Sequence, residues 1–250
     1  MSGHSKWHSI KHKKGAADAK RGKVFTMHAK LIAIAARSGG DPEMNPGLRT
    51  AIDRAKGDNV PNANIDRAVK KGSGTDKDAA AYVELTYEAI GPDGSAFMID
   101  CVTDNTNRTL TNVRTIVTKN GGSMGSVSWQ FEKKAYLLVD PAGMDKGKAE
   151  MELIDCGADD LVESESENGD FRFALFAPGD QLGLVRKAVE DKGMKVEKDE
   201  LIWKAKEEKV VSEVELAQRL MKFMDKIDED DDVNQVYSNL DFSEEVLSQL

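Results

Sequence analysis

Near Ala81 the spacing of apolar residues changes from the helical period to a period of two, so no single regular architecture spans this chain. Before that point, Val24, Met27, Leu31, Ile34 and Ala35 recur three or four residues apart and predict a helix with one core-facing stripe. Asn45 caps a second helix with Pro46 at its first position, and Leu48, Ala51, Ile52 and Ala55 form its buried side. After a short turn at Gly57–Val60, Pro61 opens a third helix carrying Ile65, Ala68 and Val69, with Gly72 expected as the residue just past its end. After Ala81, Val83, Leu85 and Tyr87 alternate with Glu84, Thr86 and Glu88, as in a half-buried strand. Gly91-Pro92-Asp93-Gly94 turns it into a partner strand through Phe97, Ile99 and Cys101. Leu110, Val113, Ile116 and Val117 mark a further helix, and Val127, Trp129 and Phe131 read as a third strand.

From about 135 to 205 the order is strand 135–139, helix 146–156, strands 160–164 and 171–176, helix 179–191 and strand 194–203. This β-α-β-β-α-β succession is ferredoxin-like. Val214, Ala217, Leu220, Met221 and Met224 predict another amphipathic helix, and the acidic run Asp228–Asp232 leads to a last strand over 233–240. The expected fold is α+β: a three-helix amino-terminal domain at 1–78, an α/β domain at 79–134 plus 206–250, and a ferredoxin-like domain at 135–205 inserted into it.

The net charge of −9 averages over a strong segregation. Residues 1–37 hold nine Lys and Arg against one acid, Asp18, a net +8. Residues 38–78 are neutral, and 79–250 carry −17. A localised cationic segment on an acidic body points to an anionic partner for that segment alone. It offers Lys6, Lys11, Lys13, Lys14, Lys20, Arg21, Lys23 and Lys30, interleaved with His4, Trp7, His8 and His12. Cations to meet phosphates and aromatics to stack on bases are the ingredients of nucleic-acid binding; the bland alternative is a solvated basic terminus. His4, His8 and His12 share one helical face, but the surrounding lysines would repel a dication and no carboxylate is near to orient the rings, so no metal is expected.

The second and third helices can be read as a helix-turn-helix with Asn62, Asn64, Arg67, Lys70 and Lys71 exposed on the reading helix, or as a plain three-helix bundle. In the loop Thr103–Thr109, Asp104, Asn105 or Thr106 can cap the next helix; alternatively, Asn105 and Arg108 with the free amides can contact an anion. The glycine-rich stretch 120–127 follows a helix and precedes a strand, the reverse of a phosphate-cradling loop, and reads as a flexible helix end.

Neither GxSxG nor HExxH is present, and the histidines are distant in sequence from both cysteines, so an enzyme is not expected, nor a cofactor or a small-molecule substrate. Met27, Met98, Met221 and Met224 read as core filler. Without an apolar run of membrane-spanning length, and with only Cys101 and Cys156, the chain reads as a cytoplasmic protein with no membrane partner.

Long ordered blocks sharpen this reading. GHSKWHSIKHKKGAADAKRGKVFTMHAK at 3–30, GGDPEMNPGLRTAI at 39–52, NVPNANIDRAVKKGSG at 59–74, TDNTNRT at 103–109 and GGSMGSVSWQF at 121–131 closely resemble the YebC/PmpR family. Met27-His28 departs from the lysine-containing pair usual there. The resemblance implies three domains, the third inserted into the second, and no catalytic residue. It implies a transcriptional regulator that binds DNA, or a ribosome- or RNA-binding translation factor that relieves stalling, as in the related mitochondrial translational activators.

Overall fold

The computed structural model describes residues 17–74, 81–166 and 169–249. The amino-terminal lobe holds α1 (Ala17–Ala35), α2 (Pro46–Gly57) and α3 (Asn62–Gly72). Asn45 organises the first junction. Its Oδ1 accepts from the Leu48 amide at 3.1 Å, while its Nδ2 donates to the carbonyls of Ala35 and Gly39 at 2.8 Å each. One side chain thus starts α2 and closes the turn leaving α1. Ile32, Ala36, Leu48, Ile52, Ala55, Val60, Ile65 and Ala68 form the core of the lobe.

The expected stripe on α1 is corrected. Val24 is 39% exposed and Leu31, Ile34 and Ala35 are only half-buried, whereas Met27, Lys30, Ile32, Ala33 and Ala36 are buried. Ile32 and Ala36 face the other two helices, while Lys30 reaches strand β2 (Ala96–Thr103) and its neighbours. A helix enclosed on more than one side does not display one apolar stripe. Gly72 is corrected too: it is the last residue of α3, and a Cβ there would lie 2.1 Å from the Ala33 carbonyl oxygen. Its requirement is close approach of α3 to α1, and the left-handed residue is Gly74 (φ +78°).

Strand β1 (Val83–Ile90) pairs antiparallel with β2, Val83 opposite Thr103 and Ile90 opposite Ala96. The turn between them takes Asp93 and Gly94 into left-handed backbone, with the Gly91 amide donating to the Ser95 carbonyl at 2.8 Å. Helix α4 (Thr106–Lys119) is followed by a two-residue strand, β3 (Ser123–Met124), on the free side of β1. The third strand expected through Val127, Trp129 and Phe131 does not form. Residues Ser128–Gln130 make a 3-10 turn, Trp129 is 70% exposed, and Phe131 begins a strand of a different sheet. Packing demands glycine just upstream. A Cβ on Gly122 would meet the Ile90 carbonyl at 2.7 Å and the Phe223 ring at 2.9 Å, and one on Gly125 would meet Ile90 at 2.9 Å. These glycines are fixed by contact rather than by flexibility.

The ferredoxin-like order is realised by β4 (Phe131–Asp140), α5 (Lys146–Asp155), β5 (Asp160–Glu165), β6 (Phe171–Pro178), α6 (Leu182–Asp191) and β7 (Lys195–Ala205). The sheet is antiparallel throughout, in the order β5-β6-β4-β7. Ala135, Leu137 and Val139 of β4 and Phe173, Leu175 and Ala177 of β6 share a core with Leu153, Val185 and Val189 of the helices. Downstream lie β8 (Lys209–Val211), α7 (Val214–Asp228), β9 (Val233–Ser238), β10 (Leu240–Phe242) and the short α8 (Glu244–Leu247). The last expected strand is therefore two. β9 joins the first sheet, whose order is β3-β1-β2-β9, while β10 pairs in parallel with β8. α7 returns to the first sheet as well: the Phe223 and Phe97 rings lie 5.0 Å apart.

The described residues fall into two compact units. One takes in those of Lys11–Ser126 with Glu215–Val236, and the other those of Val127–Val214 with Tyr237–Leu250. No helix among the described residues is long and apolar enough to cross a membrane.

Because the clash at Gly72 is with backbone, Gly72→Ala should lower stability by about 2 kcal/mol or more in urea unfolding. An unchanged midpoint would show that α1 and α3 separate freely.

Candidate nucleic-acid interface

Of the residues expected to meet nucleic acid, His4, Lys6, Trp7, His8, Lys11, His12, Lys13 and Lys14 lie outside the described residues, and Lys20 is described only as part of the α1 backbone. Arg21 is exposed on the first turns of α1. Lys23 is drawn towards Asp228, donating to its carbonyl and lying 3.6 Å from its carboxylate. Met27 is buried, and the adjacent His28 pairs with Asp58 at the end of α2, so the departing pair is engaged by the fold itself.

The segment read either as a helix-turn-helix or as part of a plain bundle forms α2, a tight turn and α3. The turn uses Asn59 in left-handed backbone (φ 58°) and buries Val60. Ile65 and Ala68 turn α3 inward, leaving Asn62, Asp66, Arg67 and Lys70 on its exposed side. Arg67 makes no hydrogen bond or ion pair among the described residues. Lys71 is committed elsewhere, its Nζ 4.0 Å from the Tyr82 ring centroid and 2.7 Å from the Tyr82 hydroxyl.

Lys30 is corrected. It is 6% exposed, and its three donors are taken by the Val102 carbonyl (3.0 Å), the Asp231 carbonyl (2.7 Å) and Asp232 Oδ1 (2.7 Å). A buried ammonium with every proton engaged does not reach a phosphate. Asp232 Oδ2 meanwhile accepts from Thr109 Oγ1 (2.8 Å), Arg108 (2.8 Å) and Thr103 Oγ1 (3.2 Å).

The two readings of the 103–109 loop meet at this cluster. Asn105 is the cap of α4, accepting from the Arg108 amide at 3.0 Å. Arg108 does bind an anion, but an internal one: Asp232, with Asp104 at 3.1 Å. The sequence reading missed Asp232 because it stands inside an acidic run that reads as a solvated tract. Nothing local marks it as buried.

Burial of Asp232 opposes its charge, yet hydrogen bonds from Lys30, Arg108 and Thr109 outweigh that and bring its carboxyl down to about 2. The same carboxylate raises the Arg108 guanidinium by hydrogen bonding and charge. Among the described residues no group of His, Cys, Asp and Glu is arranged to hold a metal ion.

A carboxyl lowered on folding stabilises above its unfolded value, near 4, and loses that contribution as pH falls towards about 2. Asp232→Ala should therefore cost about 3–5 kcal/mol at neutral pH by leaving Lys30 buried without its counter-charge. The deficit should narrow between pH 4 and 2 (approximate bounds), as the parent loses the same contribution. Urea unfolding across that range checks this; a deficit independent of pH would place the stabilisation elsewhere.

Comparison with known proteins extends over the whole chain. Residues 5–75 match the family model "TACO1/YebC protein N-terminal domain", and 82–240 match "TACO1/YebC second and third domain". Curated relatives named "Probable transcriptional regulatory protein" include one from Geobacter sp. (strain M21), 45% identical over 254 residues, and one from Nitrosococcus oceani, 44% identical over 254 residues. Each alignment covers 100% of both chains. A crystal structure of a conserved hypothetical protein from Aquifex aeolicus superposes with a TM-score of 0.81 at 37% identity, covering 95% of this chain and 97% of that one. With both family models matched in order and full-length relatives above 40% identity, the chain belongs to the TACO1/YebC family.

Proposed function

We propose that this protein is a non-enzymatic, cytoplasmic regulator of gene expression that binds nucleic acid through its basic amino-terminal lobe. The observation that carries the reading is charge segregation: +8 over residues 1–37 on a chain that is −17 over 79–250. Arg67, exposed and without an ion pair among the described residues, and the exposed Lys70 on α3 extend that cationic surface within the same lobe. Relatives named as probable transcriptional regulatory proteins support transcription as the stage; on that reading the target is DNA and α3 is the reading helix.

A second reading, an RNA- or ribosome-binding translation factor, is favoured by the same acidic remainder. Taken as a whole, a region of net −17 is not expected to wrap along a DNA duplex, whereas it can face basic ribosomal proteins. On that reading the contacts come from residues 3–30, through phosphates and stacking on unpaired bases.

If about six phosphates are engaged, log affinity against log salt should have a slope near −5 on duplex DNA or about −4 on single strands. A flat response removes the electrostatic argument. Replacing Lys11, Lys13, Lys14, Lys20 and Arg21 together by Ala should abolish binding without unfolding the α/β domains, and retained affinity would show a merely solvated segment. Co-sedimentation with ribosomes at two salt concentrations, run beside promoter-duplex gel shifts, separates the readings. Salt-sensitive ribosome association without a selective shift indicates translation. A selective shift altered by Arg67→Ala, without ribosome association, indicates transcription.

A further inference from the structure

Between Asp104 and Glu132 the chain contains no carboxylate side chain, although Asp and Glu number 44 in 250 residues. Most of that stretch is α4, which carries Arg108, Arg114 and Lys119, five threonines and two asparagines without one acid. Thr109, Val113 and Val117 bury one side of the helix. The opposite side, running through Asn107, Thr111, Arg114, Thr115, Thr118 and Lys119, is exposed along its whole length.

What distinguishes this face is that its cations stand on a helix without an acid. Elsewhere in the acidic part of the chain, Lys134, Arg172, Arg186, Lys192 and Lys204 are each held by a carboxylate, and Arg219 and Lys222 share α7 with Glu215 and Asp225. Arg108, at the start of α4, is likewise held by Asp232. Arg114 and Lys119 have no ion-pair or hydrogen-bond partner among the described residues. A helix face with two unpaired cations, amide and hydroxyl groups and no acid has no apolar surface to offer a protein partner. Its chemistry complements a polyanion, with cations for phosphates and short polar side chains that let a backbone approach closely.

We propose that the exposed face of α4 is a second contact surface for the sugar–phosphate backbone of a nucleic acid, separate from the amino-terminal arm and α3. This rests on the nucleic-acid reading above and adds the α/β part of the chain to the binding surface. Lacking a base-reading arrangement, the face contributes affinity uniformly across sequences.

The test is the paired variant Arg114→Ala/Lys119→Ala in the full chain, titrated against duplex DNA and single-stranded RNA over a salt series. Both residues are exposed, so circular dichroism and the urea midpoint should match the parent. With two phosphate contacts removed, the log–log slope should fall by about 1.8 on duplex or about 1.4 on single strands, with the same loss on unrelated sequences. Parent binding with an unchanged slope in the variant overturns the α4 surface and leaves the arm reading standing. A slope change confined to one sequence also overturns it, since a backbone contact is blind to sequence. If the parent binds neither probe, the nucleic-acid reading fails and this one falls with it.

Discussion

Asp232 is the carboxylate on which the larger of the two compact units turns. Burying an ion costs several kcal/mol unless its lone pairs and its counter-charge are satisfied together. Here they are: one oxygen takes Lys30, the other takes Arg108, Thr109 and Thr103, and Lys30 spends its remaining protons on two carbonyls. Four segments converge on this point: the middle of α1, the end of β2, the first turn of α4 and the acidic approach to β9. The Asp232 carbonyl also receives the Val102 amide, so the residue that anchors the charges helps to seat β9 beside β2. Exchanging Asp232 for a neutral side chain leaves the buried Lys30 without its counter-charge, and exchanging Lys30 leaves Asp232 only the half-exposed Arg108.

That cluster changes how the charges of the chain are counted. Lys30 belongs on paper to the basic segment and Asp232 to the acidic run, yet in the fold they cancel each other away from solvent. The remaining cations divide by whether a carboxylate holds them. In the ferredoxin-like unit, Lys134 with Asp159, Lys204 with Asp160 and Arg172 with Glu197 are intramolecular pairs that add little to stability at the surface and offer little to a partner. Arg67 on α3 and Arg114 and Lys119 on α4 stand exposed without such pairs among the described residues, and attraction for a polyanion follows from those rather than from the formal total.

Much of the architecture was legible. The caps at Asn45 and Asn105, the turn at Gly91–Gly94 and the β-α-β-β-α-β order all rest on residues that act within a few positions of themselves. The misreadings have a common cause. The stripe on α1, the strand through Trp129 and the cap at Gly72 were inferred as if each element had one partner. In the fold, Gly72 is required by the backbone of Ala33, and Gly122 by Ile90 and Phe223. Such demands come from segments far along the chain, and a glycine meeting them looks the same in sequence as a glycine ending a helix.

By itself the sequence determined where the period changes, which side chains cap, how charge is segregated, and the long motif blocks that place the chain in its family. These are local or additive properties, set by covalent neighbours and by sums. Only the tertiary structure decided that Lys30 is a buried ion-pair partner rather than a phosphate ligand, that Arg108 meets an internal anion, and that Arg114 and Lys119 are left to solvent. The reason is physical. The fate of a charge depends on what stands within a few ångströms of it, and for Lys30 that neighbour is 202 residues away.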